Sequence, residues 1–204
     1  MLEHGISVID GVLYNDGNEL FSIKKAITLP GAHNWQNAAA ALAATNALGI
    51  DIGKIDKGIH SYPGLPHRQQ LIRTIDGIRF INDSKATNAD ATSKALGCYD
   101  AIYWIVGGKP KDGGLNGLDA FMPRIKHSFL IGEAADDFQK WLNGKAPSSI
   151  SKTLDIAVRN AAKMAAAAGD KQAVVLLSPA CASYDQFNNY EHRGETFAAF
   201  VNAL

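Results

Sequence analysis

Short apolar runs that alternate with helix-forming stretches are what most narrows the folds open to this chain. Ala101 to Val106, Ser128 to Ile131 and Ala173 to Leu177 are almost free of polar interruption, and they are interleaved with helical patterns near Ala89 to Leu96, Glu133 to Leu142, Thr153 to Ala168 and in a last stretch up to Val201. A strand that is apolar at nearly every residue has both faces covered, and strand-helix alternation joins neighbouring strands by crossovers, so the pattern predicts a mostly parallel sheet with helices on both sides. LIRTI and IRFIN, either side of Asp76-Gly77, add a hairpin-like pair in front of it. Residues 64–204 therefore read as a complete Rossmann-like α/β domain.

Residues 1–63 read differently. ISVID and VLY, then ELFSI after Asn15-Asp16-Gly17-Asn18, predict a β-hairpin closed by an Asp-Gly turn. An alanine-rich helix is expected over Trp35 to Leu48, stopped at Gly49, and a short one over Lys54 to His60. Two strands and two helices make a poor core of their own, so this part resembles the trailing end of a larger domain. The breaker cluster Ser61-Tyr62-Pro63-Gly64-Leu65-Pro66 is read as the linker, and a hinge is expected there.

Charge and hydropathy remove several function classes. With 20 Lys+Arg against 20 Asp+Glu the formal net charge is zero, which gives no footprint for nucleic acid or an anionic membrane surface. The longest apolar runs fall well short of the ~18 residues of a membrane span, and Leu2-Glu3-His4-Gly5 opens no export signal. A cytoplasmic location is expected, with Cys98 and Cys181 as reduced thiols. None of Gly53-Lys54, Gly108-Lys109 and Gly144-Lys145 sits in a P-loop, and there is no G-x-S-x-G, H-E-x-x-H or paired C-x-x-C.

Ligands of open α/β sheets collect at the carboxyl ends of the strands, and three polar clusters fall there. Gly107-Gly108-Lys109-Pro110-Lys111 suits capture of a carboxylate or phosphate, or equally a solvated loop. Ser178-Pro179-Ala180-Cys181-Ala182-Ser183, before a helix expected near Tyr184-Asp185, offers backbone N–H donors to an anion, or simply Ser183 as a helix cap with Gln186 at N3. Asn82-Asp83-Ser84-Lys85-Ala86-Thr87-Asn88 places a carboxylate, an ammonium, hydroxyls and amides in seven residues; an Asx turn with Asn88 capping the next helix explains the asparagines but not Lys85. Upstream, Asn34 and Asn37 share a helix face, where a side-chain amide matches the edge of adenine, although Asn34 alone reads as an N-cap. Arg68 adds a fork-shaped donor suited to phosphate or ribose.

The order HNWQN, GLPHR, INDSKATN, VGGKPK and LLSPACASYDQFNNYEHRGE resembles the Mur ligase family, in its D-glutamate-adding branch. The resemblance covers nearly the whole chain and corresponds to the C-terminal remnant of the family's central ATP-binding domain (residues 1–63) and its C-terminal domain (residues 64–204). It implies an ATP-dependent, magnesium-requiring ligase that activates UDP-N-acetylmuramoyl-L-alanine as an acyl phosphate and transfers it to the amine of D-glutamate. The P-loop and the magnesium ligands have no counterpart in this sequence, so the chain alone is expected not to turn over; a monomer is expected. By resemblance, Lys85, Thr87, Lys111, Ser183, Tyr184 and Tyr190 surround D-glutamate, with Lys85 also in a catalytic role. Asn34 and Asn37 meet adenine, and Arg68 and Asp83 hold the ribose side of ATP or ADP. Counting from the glycine pair favours Lys111 over Lys109, and the family's pattern has phenylalanine and leucine where Tyr190 and Tyr184 stand. A stand-alone noncatalytic nucleotide or acidic amino-acid binding module is the alternative from another class; another Mur or folylpolyglutamate-type ligase is the alternative within enzymes.

Overall fold

The computed structural model describes residues 4–204. It divides into two compact units, Met1–Gly64 and Leu65–Leu204.

In the first unit, β1 (Ile6–Ile9), β2 (Val12–Asn15) and β3 (Asn18–Ser22) form an antiparallel meander in that order. The single hairpin expected from the sequence is thus three strands, because Asp10-Gly11 makes a second tight turn. Asp10 and Gly11 have φ of 46° and 71°, and Asp16 and Gly17 have 48° and 77°, the paired positive values that match the right-handed twist of the strands. Helices α1 (Ala32–Ala47) and α2 (Ile52–Ser61) follow. Leu13, Ile23, Ala26, Ala38, Leu42 and Ile55 are the buried core. The Asp51 side chain accepts from Lys54 N at 3.2 Å and starts α2 earlier than the apolar pattern alone placed it.

The second unit holds β4 (Gln70–Ile75), β5 (Ile78–Asn82), α3 (Ala89–Leu96), β6 (Ile102–Gly107), a 3-10 turn (Asp119–Arg124), β7 (Ile125–Ile131), α4 (Ala135–Leu142), β8 (Ser148–Lys152), α5 (Leu154–Ala168), β9 (Val174–Leu177) and α6 (Tyr190–Asn202). The sheet order is β4-β5-β9-β6-β7-β8, parallel throughout except for the β4-β5 hairpin. Every residue of β6 and β9 is buried, which is why these strands read as unbroken apolar runs. One face packs Leu96 of α3 and Phe138 and Leu142 of α4 on Trp104 and Leu176; the other packs Val158 and Ala161 of α5 and Phe197 of α6 on Ile105 and Val175. The edge strand β8, Ser-Ser-Ile-Ser-Lys, was not expected: only Ser151 of its residues is buried, so its sequence carries no apolar run.

In the second unit, side-chain caps fix where two helices start. Asn88 accepts from Ala91 N at 2.8 Å at the head of α3, as its sequence context suggested. Asn189 accepts from His192 N at 2.7 Å at the head of α6. Asn88→Ala should cost about 1 kcal/mol in urea unfolding, the ordinary value of such a cap; an unchanged midpoint would mean that α3 is held by its packing alone.

Candidate active site

The carboxyl ends of β5, β6, β7 and β9 deliver four loops to one edge of the second unit, and glycines let three of them close up. Gly107, Gly108 and Gly132 have φ of 125°, 132° and 68°. A Cβ on Gly107 would run into Ile131 O, one on Gly108 into Ala182 O, and one on Gly132 into an Asp185 carboxylate oxygen, all well inside van der Waals contact. The loops are then bonded to one another. Lys109 N donates to Ala182 O at 2.9 Å, and Ala182 N returns a bond to Lys109 O at 3.1 Å. Ala180 N donates to Ala86 O at 3.0 Å, and Glu133 N to Asp185 Oδ2 at 3.1 Å.

Asp83, at the end of β5, is buried. Its Oδ2 accepts from Ser178 Oγ at 2.8 Å and its Oδ1 from Gln69 N at 3.2 Å. Burial pushes its pKa up to about 7, against the opposing pull of the Ser178 hydroxyl, the Gln69 N–H and the Arg68 guanidinium. Lys85, two residues on, donates its backbone N–H to His67 O at 3.0 Å and rests its Nζ over the Tyr190 ring, 3.8 Å from the centroid. Thr87 is half-buried, Ser183 buried, Tyr184 69% exposed and Lys111 exposed. The Tyr190 hydroxyl pairs with Glu191, whose carboxylate raises the phenol's pKa.

Lys85, Tyr190, Ser183, Asp83 and Arg68 all belong to this edge of the second unit. Lys111 follows the glycine pair, and its charge acts on the Cys181 thiol, which burial pushes up to about 12. Lys109 is committed through its backbone to the bridge with Ala182. Asn34 and Asn37 lie on α1 of the first unit, sharing a face as expected: Asn37 Nδ2 donates to Asn34 Oδ1 at 3.4 Å, and Asn34 Nδ2 to Pro30 O at 2.8 Å. Asn34 is not the helix cap. Gly31, with φ of 85°, holds that position.

The expected helix at Tyr184-Asp185 with Ser183 as its cap is also corrected. Ser183 O accepts from Gln186 N and Phe187 N in an isolated turn, and α6 begins only at Tyr190. A run of Asn188-Asn189 favours capping over propagation, so the helix starts six residues later, at Tyr190.

Sequence reasoning passed over Arg193, which is 0% exposed. Its Nε donates to Ser84 Oγ at 2.9 Å, Nη2 to Ser84 O at 2.8 Å, and Nη1 to Cys181 O and Ala182 O at 3.1 and 3.3 Å. The signal was available: Arg193, Phe197 and Val201 follow a four-residue spacing, so the arginine lies on the buried stripe of α6. Asn82 was also missed as a structural group. Its Oδ1 accepts from Ser84 N at 3.1 Å while its Nδ2 lies 3.1 Å from both Gly194 O and His67 Nδ1. In the contact with His67 the amide nitrogen of Asn82 is the donor and the ring Nδ1 the acceptor.

No protein-family model matches the sequence. The chain is 52% identical over 204 residues to a UDP-N-acetylmuramoylalanine–D-glutamate ligase of Rhodospirillum rubrum, covering 98% of this chain and 43% of that protein. It is 49% identical to the enzyme of the same name from Paramagnetospirillum magneticum, covering 100% and 45%. The chain thus spans less than half the length of the curated relatives it matches. Among solved structures, the UDP-N-acetylmuramate-alanine ligase MurC of Thermotoga maritima superposes with a TM-score of 0.66 at 15% identity, covering 94% of this chain and 42% of that one. A pseudomurein peptide ligase type C from Methanothermus fervidus gives 0.59 at 18% identity, covering 96% and 40%. The fold is shared with these peptide ligases, and over its whole length the chain is similar in sequence to a part, less than half, of the D-glutamate ligases.

Proposed function

We propose that this chain is the amino-acid-accepting and nucleotide-clamping part of an ATP-dependent ligase that joins D-glutamate to UDP-N-acetylmuramoyl-L-alanine in peptidoglycan precursor synthesis. The observation that carries the reading is the convergence of Lys85 and Ser183 on one sheet edge, from loops bonded to a common residue. D-glutamate presents two carboxylates and a nucleophilic amine. A pocket for it needs cations and N–H or O–H donors, and it must leave the amine free. Lys85 and Lys111 supply the cations, with Thr87 and Ser183 as hydroxyl donors and the rings of Tyr184 and Tyr190 as walls. Of the nearby acids, Asp83 accepts from Ser178 and Gln69, and Asp185 accepts from Glu133 N through Oδ2.

On the nucleotide side, Asp83 and Arg68 are assigned to the ribose and Asn34 and Asn37 to adenine. Asp83 fits, since its buried carboxyl already accepts two donors and its pKa of about 7 lets it ionise when further donors arrive. Magnesium has no such fit: among the described residues no group of three His, Cys, Asp or Glu could hold a metal ion. No step is therefore assigned to the metal here, and its ligands, with the uridine-nucleotide site, are assigned to the length of the relatives that this chain does not span. Among the described residues no helix is long and apolar enough to cross a membrane, and a cytoplasmic setting goes with the use of ATP.

Titration of the 15N-labelled chain with D-glutamate tests the amino-acid site. Shifts are expected at the amides of Lys85, Thr87, Lys111 and Ser183, and Lys111→Ala should weaken binding about tenfold, the worth of one charge-assisted contact. Shifts confined to other parts of the sheet would remove D-glutamate from this edge.

A further inference from the structure

Arg193 is a buried cation whose hydrogen bonds all go to neutral acceptors, with the charge of Asp185 acting on it from beyond ion-pair distance. Among the described residues no carboxylate comes within ion-pairing distance of it. Burial lowers its pKa to about 10, still far above neutrality, so it remains charged. Withholding a partner from a fully buried guanidinium is costly unless its donors are matched. Here they are matched by one hydroxyl and three carbonyl oxygens, all neutral.

The identity of those acceptors matters more than their number. Ser84 lies between Asp83 and Lys85, in the loop after β5. Cys181 and Ala182 immediately precede Ser183, in the loop after β9. These loops follow adjacent parallel strands, yet their tips carry the cation and the hydroxyl that the proposed function asks to act on one ligand. The rigid fork of an arginine, anchored on α6, spans both loops at once. Its neighbours tighten the anchor. Ser84 Oγ also donates to Tyr190 O at 2.8 Å, and a Cβ on Gly194 would collide with His67 Nδ1. The first turn of α6 is therefore pressed against the same loops.

We propose that Arg193 is a positioning residue that holds the loop carrying Lys85 against the loop carrying Ser183, so that both side chains can act on one anionic amino acid. Arg193 itself meets no ligand: it is sealed from solvent, and its bonds run to the backs of the two loops. The assignment rests on the D-glutamate reading for its ligand, but not for its geometry.

Two variants and two readouts test it. Arg193→Lys keeps the charge and loses the fork; Arg193→Met keeps comparable bulk and loses both. Hydrogen exchange on the ligand-free chain comes first. The amides of Lys85 and Ala182, bonded to His67 O and Lys109 O, should lose at least about tenfold protection in Arg193→Lys, as a broken charge-assisted bond would release them. Those of Ile105 and Leu176, in the central strands, should keep theirs. Unchanged protection at Lys85 and Ala182 overturns the positioning role. Should Arg193→Met fail to fold, the lysine variant alone decides that point. In D-glutamate titrations, Arg193→Lys and Arg193→Met should each bind at least about tenfold more weakly than wild type. Wild-type affinity in both would overturn the proposal. Lost protection at the two amides in Arg193→Lys, together with a wild-type chain that does not bind D-glutamate, would sink the substrate reading and leave the positioning role standing.

Discussion

Gly108→Ala is expected to destabilise the second unit by about 3–6 kcal/mol, a large share of the stability of an ordinary domain. Gly108 has φ of 132°, a region that L side chains rarely adopt, and the added Cβ would meet Ala182 O and lie 3.2 Å from Arg193 Nη1 and Cys181 Cβ. The obstacle is backbone held by two hydrogen bonds to Lys109, not the free end of a side chain, so relief requires the loop after β9 to move away. Gly113→Ala is the control. Its φ is 85° but a Cβ there meets nothing within 4 Å, so only the backbone term of about 1 kcal/mol remains. Urea unfolding followed through the indole N–H of Trp104, which donates to Ser178 O at 2.8 Å, reports on the second unit. Equal costs at the two glycines would show that the close approach of the loops carries no energy.

Asp83→Asn should stabilise the chain at alkaline pH. Burial raises the carboxyl from 3.8 to about 7 in the folded state, so between those values the native protein binds more protons than the unfolded one. Stability contributed by this group is therefore lost as pH rises through that window. The full shift corresponds to about 4 kcal/mol, of which about 2–3 kcal/mol falls between pH 5 and pH 8. Asparagine has the same shape without the charge, and Ser178 Oγ can turn its hydrogen toward Thr92 Oγ1, 3.2 Å away, to accept from the new amide. The advantage of Asp83→Asn over wild type should accordingly grow by about 2–3 kcal/mol from pH 5 to pH 8. A constant difference across that range would show that Asp83 ionises freely in the folded protein.

Much of the fold was legible because its signals are local. β6 and β9 sit in the middle of the sheet, and complete burial leaves only apolar residues acceptable there. Asp76-Gly77 marked its hairpin and Asn88 marked the start of α3. β8 escaped notice because an edge strand with a single buried residue needs no apolar pattern. The third strand of the first unit was lost for another reason: Asp10-Gly11 is the same turn signal as Asp16-Gly17, but it is flanked by runs short enough to read as one. The late start of α6 turned on a competition between Ser183 and Asn189 for the role of cap, which sequence spacing alone did not settle.

The candidate site divides in the same way. Composition and motif order marked Asp83, Lys85, Lys111 and Ser183 as groups suited to an anion, since charged and hydroxyl side chains at strand ends stand out against an apolar background. What they could not reveal is what holds those groups at a fixed spacing. Arg193 lies more than 100 positions from Ser84, and its role exists only once α6 has folded back over the ends of β5 and β9. The sequence by itself determined the layered α/β architecture, through patterns that burial imposes on neighbouring residues. Tertiary structure alone decided which polar groups lose water together, and with that the raised pKa of Asp83 and the buried charge of Arg193, because desolvation depends on what surrounds a group in space and not on what adjoins it in the chain.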